Sequence, residues 1–182
     1  MTRDDGVYGD PSDPFGPYVS ESIVLRNYEA ENFSLFGNID YFISDNLKLA
    51  LGLRWENWNS KYNDSNNESF NPSDNMNGGK LSLIKYKDKS NIYFAIARGY
   101  KQGGFNLGLD ATDNSIRESL IFDPEFLTNY EIGLTSNSTN SNFNYSAVLF
   151  YSKREDQQLL ISKQVDPTDP NTFSYLTQNA AQ

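Results

Sequence analysis

By type and spacing, two carboxylate pairs are the residues best suited to acid–base chemistry: Asp123/Glu125 and Glu155/Asp156. Such work needs a pocket that separates the two pKa values, which spacing alone does not provide. Both pairs also fit solvated strand ends. The chain contains no His and no Cys, which excludes a Ser-His-Asp triad, His- or thiolate-bound zinc, and any disulfide framework. The stretches "NDSNNESFNPSDN" and "DPTDPNT" offer oxygen ligands of the kind calcium takes. Neither has Gly at the sixth position of an EF-hand loop. "RGYKQGG", residues 98–104, has the glycines of a phosphate loop but lacks the Gly-Lys-Ser/Thr ending, and no helix is expected after it. "NST" at Asn137 fits a glycosylation acceptor, which means nothing if the source is bacterial. No enzyme chemistry, cofactor or metal site is therefore expected.

The composition points to another kind of molecule. Hydrophobic residues make up 37% of 182 residues, yet aromatics reach 14%, with 12 Tyr and 12 Phe. That is too aromatic for a disordered tail. No apolar run approaches the roughly 20 residues of a membrane-crossing helix. A mean hydropathy of -0.64 does not exclude a membrane, because alternating barrel strands average out in such an index. A net charge of -9 argues against nucleic acid, whose partners need a basic surface. The basic run Lys85, Lys87, Lys89 reads as a solvated strand end. The first twenty residues have no apolar core of the kind a signal peptide needs, so the chain is expected to be a fragment.

Seven strands are expected, at 28–43, 47–59, 79–87, 91–101, 127–136, 143–161 and 173–182. Residues 1–27 are expected to form a loop region before them, and 28–182 a partial barrel. Connections alternate short and long, as in an antiparallel meander whose long loops share one end. Along "LKLALGLRWENW", Leu47, Leu49, Leu51, Leu53 and Trp55 share one face, opposite Lys48, Ala50, Gly52, Arg54 and Glu56. Ile92, Phe94 and Ile96 form a second apolar face, and Tyr130, Ile132 and Leu134 a third. Period-two alternation marks strands between two different environments. It suits a soluble β-sandwich as well as a barrel. Eight residue steps at a 45° tilt climb roughly 19 Å, most of a lipid-facing band about 25 Å tall. Trp55, Trp58, Tyr100, Tyr28 and Tyr130 then fall near the loop side and Tyr41 and Tyr145 near the turn side, as in interfacial aromatic belts. The register of 79–87 is not evident.

Four consecutive blocks, "FGNIDYFISDNLKLALGLRWENW", "IYFAIARGYKQGGFN", "FDPEFLTNYEIGLTS" and "FNYSAVLFYSKREDQQL", closely resemble successive barrel segments of TonB-dependent outer-membrane receptors. They cover about residues 33–161 in the family's order. The resemblance implies an all-β antiparallel meander forming about seven strands of a larger transmembrane β-barrel. It implies uptake of scarce nutrients, most often ferric siderophores, across the outer membrane of a Gram-negative bacterium, with long loops outside. The implied partners are outer-membrane lipid, a small-molecule ligand, and the TonB energy-coupling complex, reached through a plug domain expected to be missing from this chain. A barrel of this class has about 22 strands, so seven are not expected to insert or transport alone. The glycines of "QGGF" are expected to serve φ > 0 at an irregular loop start. Expected ligand contacts are Arg54, Trp58, Tyr62, Phe70, Arg98, Tyr100, Lys101 and Phe105, although Arg98 equally suits snorkelling at the rim. The alternatives are a passive porin fragment and a soluble β-sandwich carbohydrate-binding module.

Overall fold

The computed structural model describes residues 25–65, 67–107, 120–136, 144–164, 168 and 173–180. Nearly all of the 1–27 region, the "NST" site and the "NSTNSN" turn, and most of the 163–172 loop lie outside the described residues. The strands are β1 (Arg26–Ser44), β2 (Leu47–Asp64), β3 (Ser69–Phe70), β4 (Ser73–Lys87), β5 (Ser90–Lys101), β6 (Gly104–Phe105), β7 (Ile121–Phe122), β8 (Glu125–Ser136), β9 (Ser146–Glu155), β10 (Gln158–Gln164) and β11 (Phe173–Asn179). One antiparallel sheet runs β1-β2-β4-β5-β8-β9, with β3 also pairing β2. The pairs β6-β7 and β10-β11 stand apart from it.

The expected meander is present, and its differences from the expectation have physical causes. Asp45-Asn46 and Asp88-Lys89 make tight turns, as their residue types favour. At the other end β2 runs on to Asp64 and β4 begins at Ser73, because Asn57, Trp58 and Asn59 continue the ladder with Asn75, Asp74 and Ser73. Much of the polar stretch expected as loop is therefore strand. The strand expected at 143–161 breaks at Asp156, whose φ of 53° turns the chain out of the ladder. Asp tolerates that left-handed conformation better than most residues. Asn179 holds the bend by donating its Nδ2 to the Asp156 carbonyl at 2.7 Å.

The register settles which residues share a face. Leu51 stands opposite Ile39 on one side and Leu81 on the other, and the row continues through Ile96, Tyr130 and Tyr151. The neighbouring row joins Tyr41, Leu49, Leu83, Phe94, Ile132 and Leu149. The residues expected on an apolar face thus do share one, now extended by Leu81 and Leu83 from β4. The opposite face carries Asp40, Lys48, Arg54, Glu56, Lys80, Ser82, Asn129 and Glu131, along with Phe36, Phe42 and Phe150. Two rings expected in the loop-side belt, Trp58 and Tyr28, lie on this second face, opposite Asn32 and Tyr62 respectively, and a third, Tyr100, turns to it to reach Glu56.

Among the described residues no second layer covers the apolar face. The substantial contacts between strands run along the ladders, with β7 against β11 as the one exception. Leu149 is 73% exposed and Leu35 67%. Apolar surface this continuous is foreign to a water-soluble monomer, and the β-sandwich alternative finds no partner sheet among the described residues. Buried apolar side chains gather instead at the loop end, where Trp58, Tyr62 and Met76 are almost fully enclosed.

Adjacent residues of β9 test the two faces. Leu149→Arg in the full-length protein is expected to lower stability by about 2–4 kcal/mol in a bilayer, although the position is open in the isolated sheet. Val148→Arg, one residue along on the other face, should cost under about 1 kcal/mol. Equal tolerance of both in bilayer unfolding titrations would contradict the assignment.

Candidate functional site

At the loop end of the polar face the chain doubles back after β5. Gly104 and Phe105 pair with Phe122 and Ile121, so this excursion leaves and rejoins the sheet at one point. The pairing delivers Phe105 onto rings from three other places. Its centroid lies 5.5 Å from Tyr28, 5.4 Å from Tyr62 and 6.1 Å from Phe70, and Tyr62 stacks on Phe70 at 5.7 Å. These are ordinary distances for attractive ring pairs. Tyr28, Tyr62 and Phe105, with Trp58, Leu107, Phe122 and Arg26, line a hollow of about 570 Å³.

The glycines of the excursion serve close approach, not the positive φ expected of them. A Cβ on Gly104 would stand 2.7 Å from Cζ of Phe122, and one on Gly103 would stand 2.6 Å from the Phe122 carbonyl oxygen and 2.7 Å from a carboxylate oxygen of Asp74. Side-chain amides fix the excursion to the β10-β11 hairpin. Asn106 donates to the Thr177 carbonyl at 2.8 Å and accepts from the Thr177 N–H at 2.7 Å, as a strand neighbour would. Asn179 repeats the arrangement with Asp123, and Gln158 donates to the carbonyls of Gln102 and Asp123.

A second hollow of about 470 Å³ adjoins the first through Gln102, and Arg54, Glu56 and Tyr100 line it. Glu56 is buried, and its carboxylate accepts from Asn32 at 2.6 Å, Tyr100 at 2.7 Å and the Arg54 Nε at 2.9 Å. The Tyr100 ring reaches it by passing over Gly78, where a Cβ would stand 3.0 Å from the ring. Three strands are thereby joined through one carboxylate, and half of the Arg54 side chain remains exposed.

The expected ligand contacts therefore fall into groups. Trp58, Tyr62 and Phe105 meet in the first hollow, and Arg54 and Tyr100 in the second; Phe70 stacks on Tyr62 and Phe105 but does not line the hollow. Arg98 borders the second, but its guanidinium lies 4.3 Å over the Phe126 ring, away from Arg54. Lys101 stands opposite Glu125 and lines neither. Sequence reasoning missed Tyr28, Arg26, Phe122 and Glu56. Counting by twos from Phe33 would have placed Tyr28 on the polar face, whereas the Phe122 contact depends on a bridge that spacing does not reveal. Among the described residues no three metal-ligating side chains converge.

The family described as TonB dependent receptor-like, beta-barrel, matches residues 2–182. The chain belongs to the TonB-dependent receptor β-barrel family. No curated protein sequence matches it. Among solved structures, it resembles the ferric yersiniabactin uptake receptor FyuA from Yersinia pestis (23% identity over 75% of this chain and 22% of that one, TM-score 0.58). It resembles the alcaligin outer-membrane receptor FauA from Bordetella pertussis (17%, 85% and 26%, TM-score 0.54) and the copper transporter OprC (15%, 97% and 28%, TM-score 0.64). At these identities the likeness concerns the fold. The chain spans about a quarter of each of these proteins. TonB-dependent receptor barrels are outer-membrane proteins of Gram-negative bacteria, and the matches favour this family over the porin and the soluble module.

The receptor's loop end has one titration that can be tested. Burial first, and then the charge of Asp123, push the Asp74 carboxyl above its usual range. The folded state then holds this proton more tightly than the unfolded state does. Its contribution to stability falls as pH rises from the unfolded value through the raised one. Asp74→Asn in the full-length receptor is expected to raise the melting midpoint at pH 7, with the gain vanishing toward about pH 4. A gain that grew on acidification would contradict the sign.

Proposed function

We propose that this chain is the part of a TonB-dependent receptor barrel that carries one side of an extracellular ligand site, and that the ligand is a ferric siderophore. Lipid covers the apolar face, including Leu47, Leu49, Leu51, Leu53, Trp55, Ile92, Phe94, Ile96, Tyr130, Ile132 and Leu134, and the polar face lines the lumen. The end bearing the ring cluster lies outside the cell. Uptake then depends on a plug domain and the TonB complex in the complete protein.

The convergence of Tyr28, Tyr62 and Phe105 on one hollow, with Phe70 stacked against Tyr62, carries this reading. Flat rings around an open space suit the organic body of a chelator, which presents apolar or aromatic surface beside polar edges. Arg54, half exposed and held by Glu56 and Tyr100, adds a positioned donor for an anionic group. A bare metal ion suits this segment less well, because the chain has no His or Cys and a transition metal without them loses its strongest protein ligands. A chelate brings its own.

Phe105 is the ring to remove, since it comes from the excursion and not from the sheet. In the full-length receptor, Phe105→Ala is expected to weaken ferric-siderophore binding about tenfold, more than loss of one ring contact alone, because the ring touches three others. Growth under iron limitation should fall with it, while barrel heat-modifiability is unchanged. Wild-type binding by this variant, across a panel of ferric siderophores of which at least one binds the parent, would refute the assignment.

A further inference from the structure

The apolar face ends at its loop side in two neighbouring cations. Arg98, Thr128 and Lys153 lie in one row across β5, β8 and β9, one row beyond Ile96, Tyr130 and Tyr151. Both cations lean the same way. The Arg98 guanidinium lies over Phe126, and Lys153 Nζ reaches Glu155 Oε1 at 2.7 Å. Phe126 and Glu155 are opposite each other in the next row toward the loops. Each side chain thus lays its stem along apolar surface and lifts its charge away from the middle of the sheet, which is the geometry of snorkelling.

We propose that Arg98, Thr128 and Lys153 form a binding site for the phosphate of an anionic lipid headgroup on the outside of the barrel. This rests on the reading that lipid covers the apolar face. Arg98 and Lys153 face a single carboxylate, Glu155, so this edge keeps a local positive excess in a chain whose net charge is -9. Neighbours within a row are one strand spacing apart, so the two cationic side chains spring from positions about 10 Å apart, with the short Thr128 side chain between them. Glu155 partners Lys153 in the absence of lipid, and its carboxylate is the group a phosphate displaces. Arg154 belongs to the other face, where it meets Glu125 at 3.3 Å, and takes no part. A Tyr130–Tyr151 ring pair, 6.2 Å between centroids, lies directly beneath, at the level where amphipathic rings meet headgroups.

The test uses the full-length receptor in non-ionic detergent, titrated with short-chain phosphatidylglycerol and, separately, with phosphatidylcholine, and read by native mass spectrometry. Wild type is expected to prefer phosphatidylglycerol. Arg98→Gln and Lys153→Gln should each weaken that lipid about fivefold, and Glu155→Gln should strengthen it by removing the competing carboxylate. Phosphatidylcholine should be indifferent to all three. Equal binding of the two lipids by wild type, or a double variant that keeps the preference, would overturn the site. So would a Glu155→Gln variant that binds the anionic lipid more weakly. Equal tolerance of Leu149→Arg and Val148→Arg in bilayer unfolding titrations would instead overturn the reading on which this site rests, so the two failures are distinguishable.

Discussion

A strand in hydrocarbon has no water to satisfy its main chain, so each N–H and C=O must find a partner in the neighbouring strand. That requirement governs the sheet from β1 to β9. Its ladder is continuous over the levels that carry the apolar face, with a single register shift between Phe42 and Ser44 beside the tight turn. Irregularity is confined to the other end. There β3, β6 and β7 are two-residue bridges, β9 breaks from β10 at Asp156, and side-chain amides take over the pairing that the ladder gives up. The ring cluster around Phe105 forms where the ladder gives way to two-residue bridges, whereas the hollow beside Glu56 lies over the regular β2-β4-β5 ladder.

The polar face turns the same pairing to a second use. Ladder neighbours bring Asn32 and Glu56 within reach of each other from β1 and β2, and Tyr100 adds β5. A buried carboxylate that accepts several donors is stabilised by them, and removal of the carboxylate would leave those donors unsatisfied. This network and the amide contacts of Asn106 and Asn179 hold the excursion after β5 against the sheet and the β10-β11 hairpin. Phe105 can therefore meet Tyr28 and Tyr62 as a positioned ring.

How far the sequence reveals this depends on what each feature needs. The apolar faces of β2, β5 and β8 are legible because alternation is a local property, and Leu49, Phe94 and Ile132 declare it within their own strands. β4 was obscure because Gly78-Gly79 and Lys85 interrupt the pattern, and its assignment depends on the partners Leu51 and Ile96. Trp58, Tyr62, Phe70 and Phe105 stand out as loop-side rings, but their meeting is a tertiary fact. Glu56 looked like one more polar-face residue, since nothing local announces that Tyr100 crosses Gly78 to reach it. The "QGGF" glycines were visible while their reason was not, because close approach to Phe122 and Asp74 depends on chain returning from far along the sequence.

The edge of the apolar face carries information that single strands do not. Its last large apolar side chain toward the loops is Phe33 in β1, which stands opposite Asn57 of β2. In β9 it is Tyr151, which connects through Tyr130, Ile96 and Leu81 to Leu51 of β2. The edge thus drops from Asn57 to Leu51, six residues along β2, while crossing five strand spacings. With about 3.4 Å per residue and about 4.8 Å per spacing, a level band drawn across such a sheet meets strands tilted by about 40°, inside the range of outer-membrane barrels. The turn end descends the same way: Ser90 and Ser136 pair a full row beyond Ile92 and Leu134, which are level with Leu47. A flat soluble sheet has no reason to slant its apolar edge by this amount. On the reading that lipid covers this face, a level membrane surface across tilted strands would produce such a slant, and Arg98 and Lys153 would stand at headgroup height although their row in β2 is occupied by Leu53.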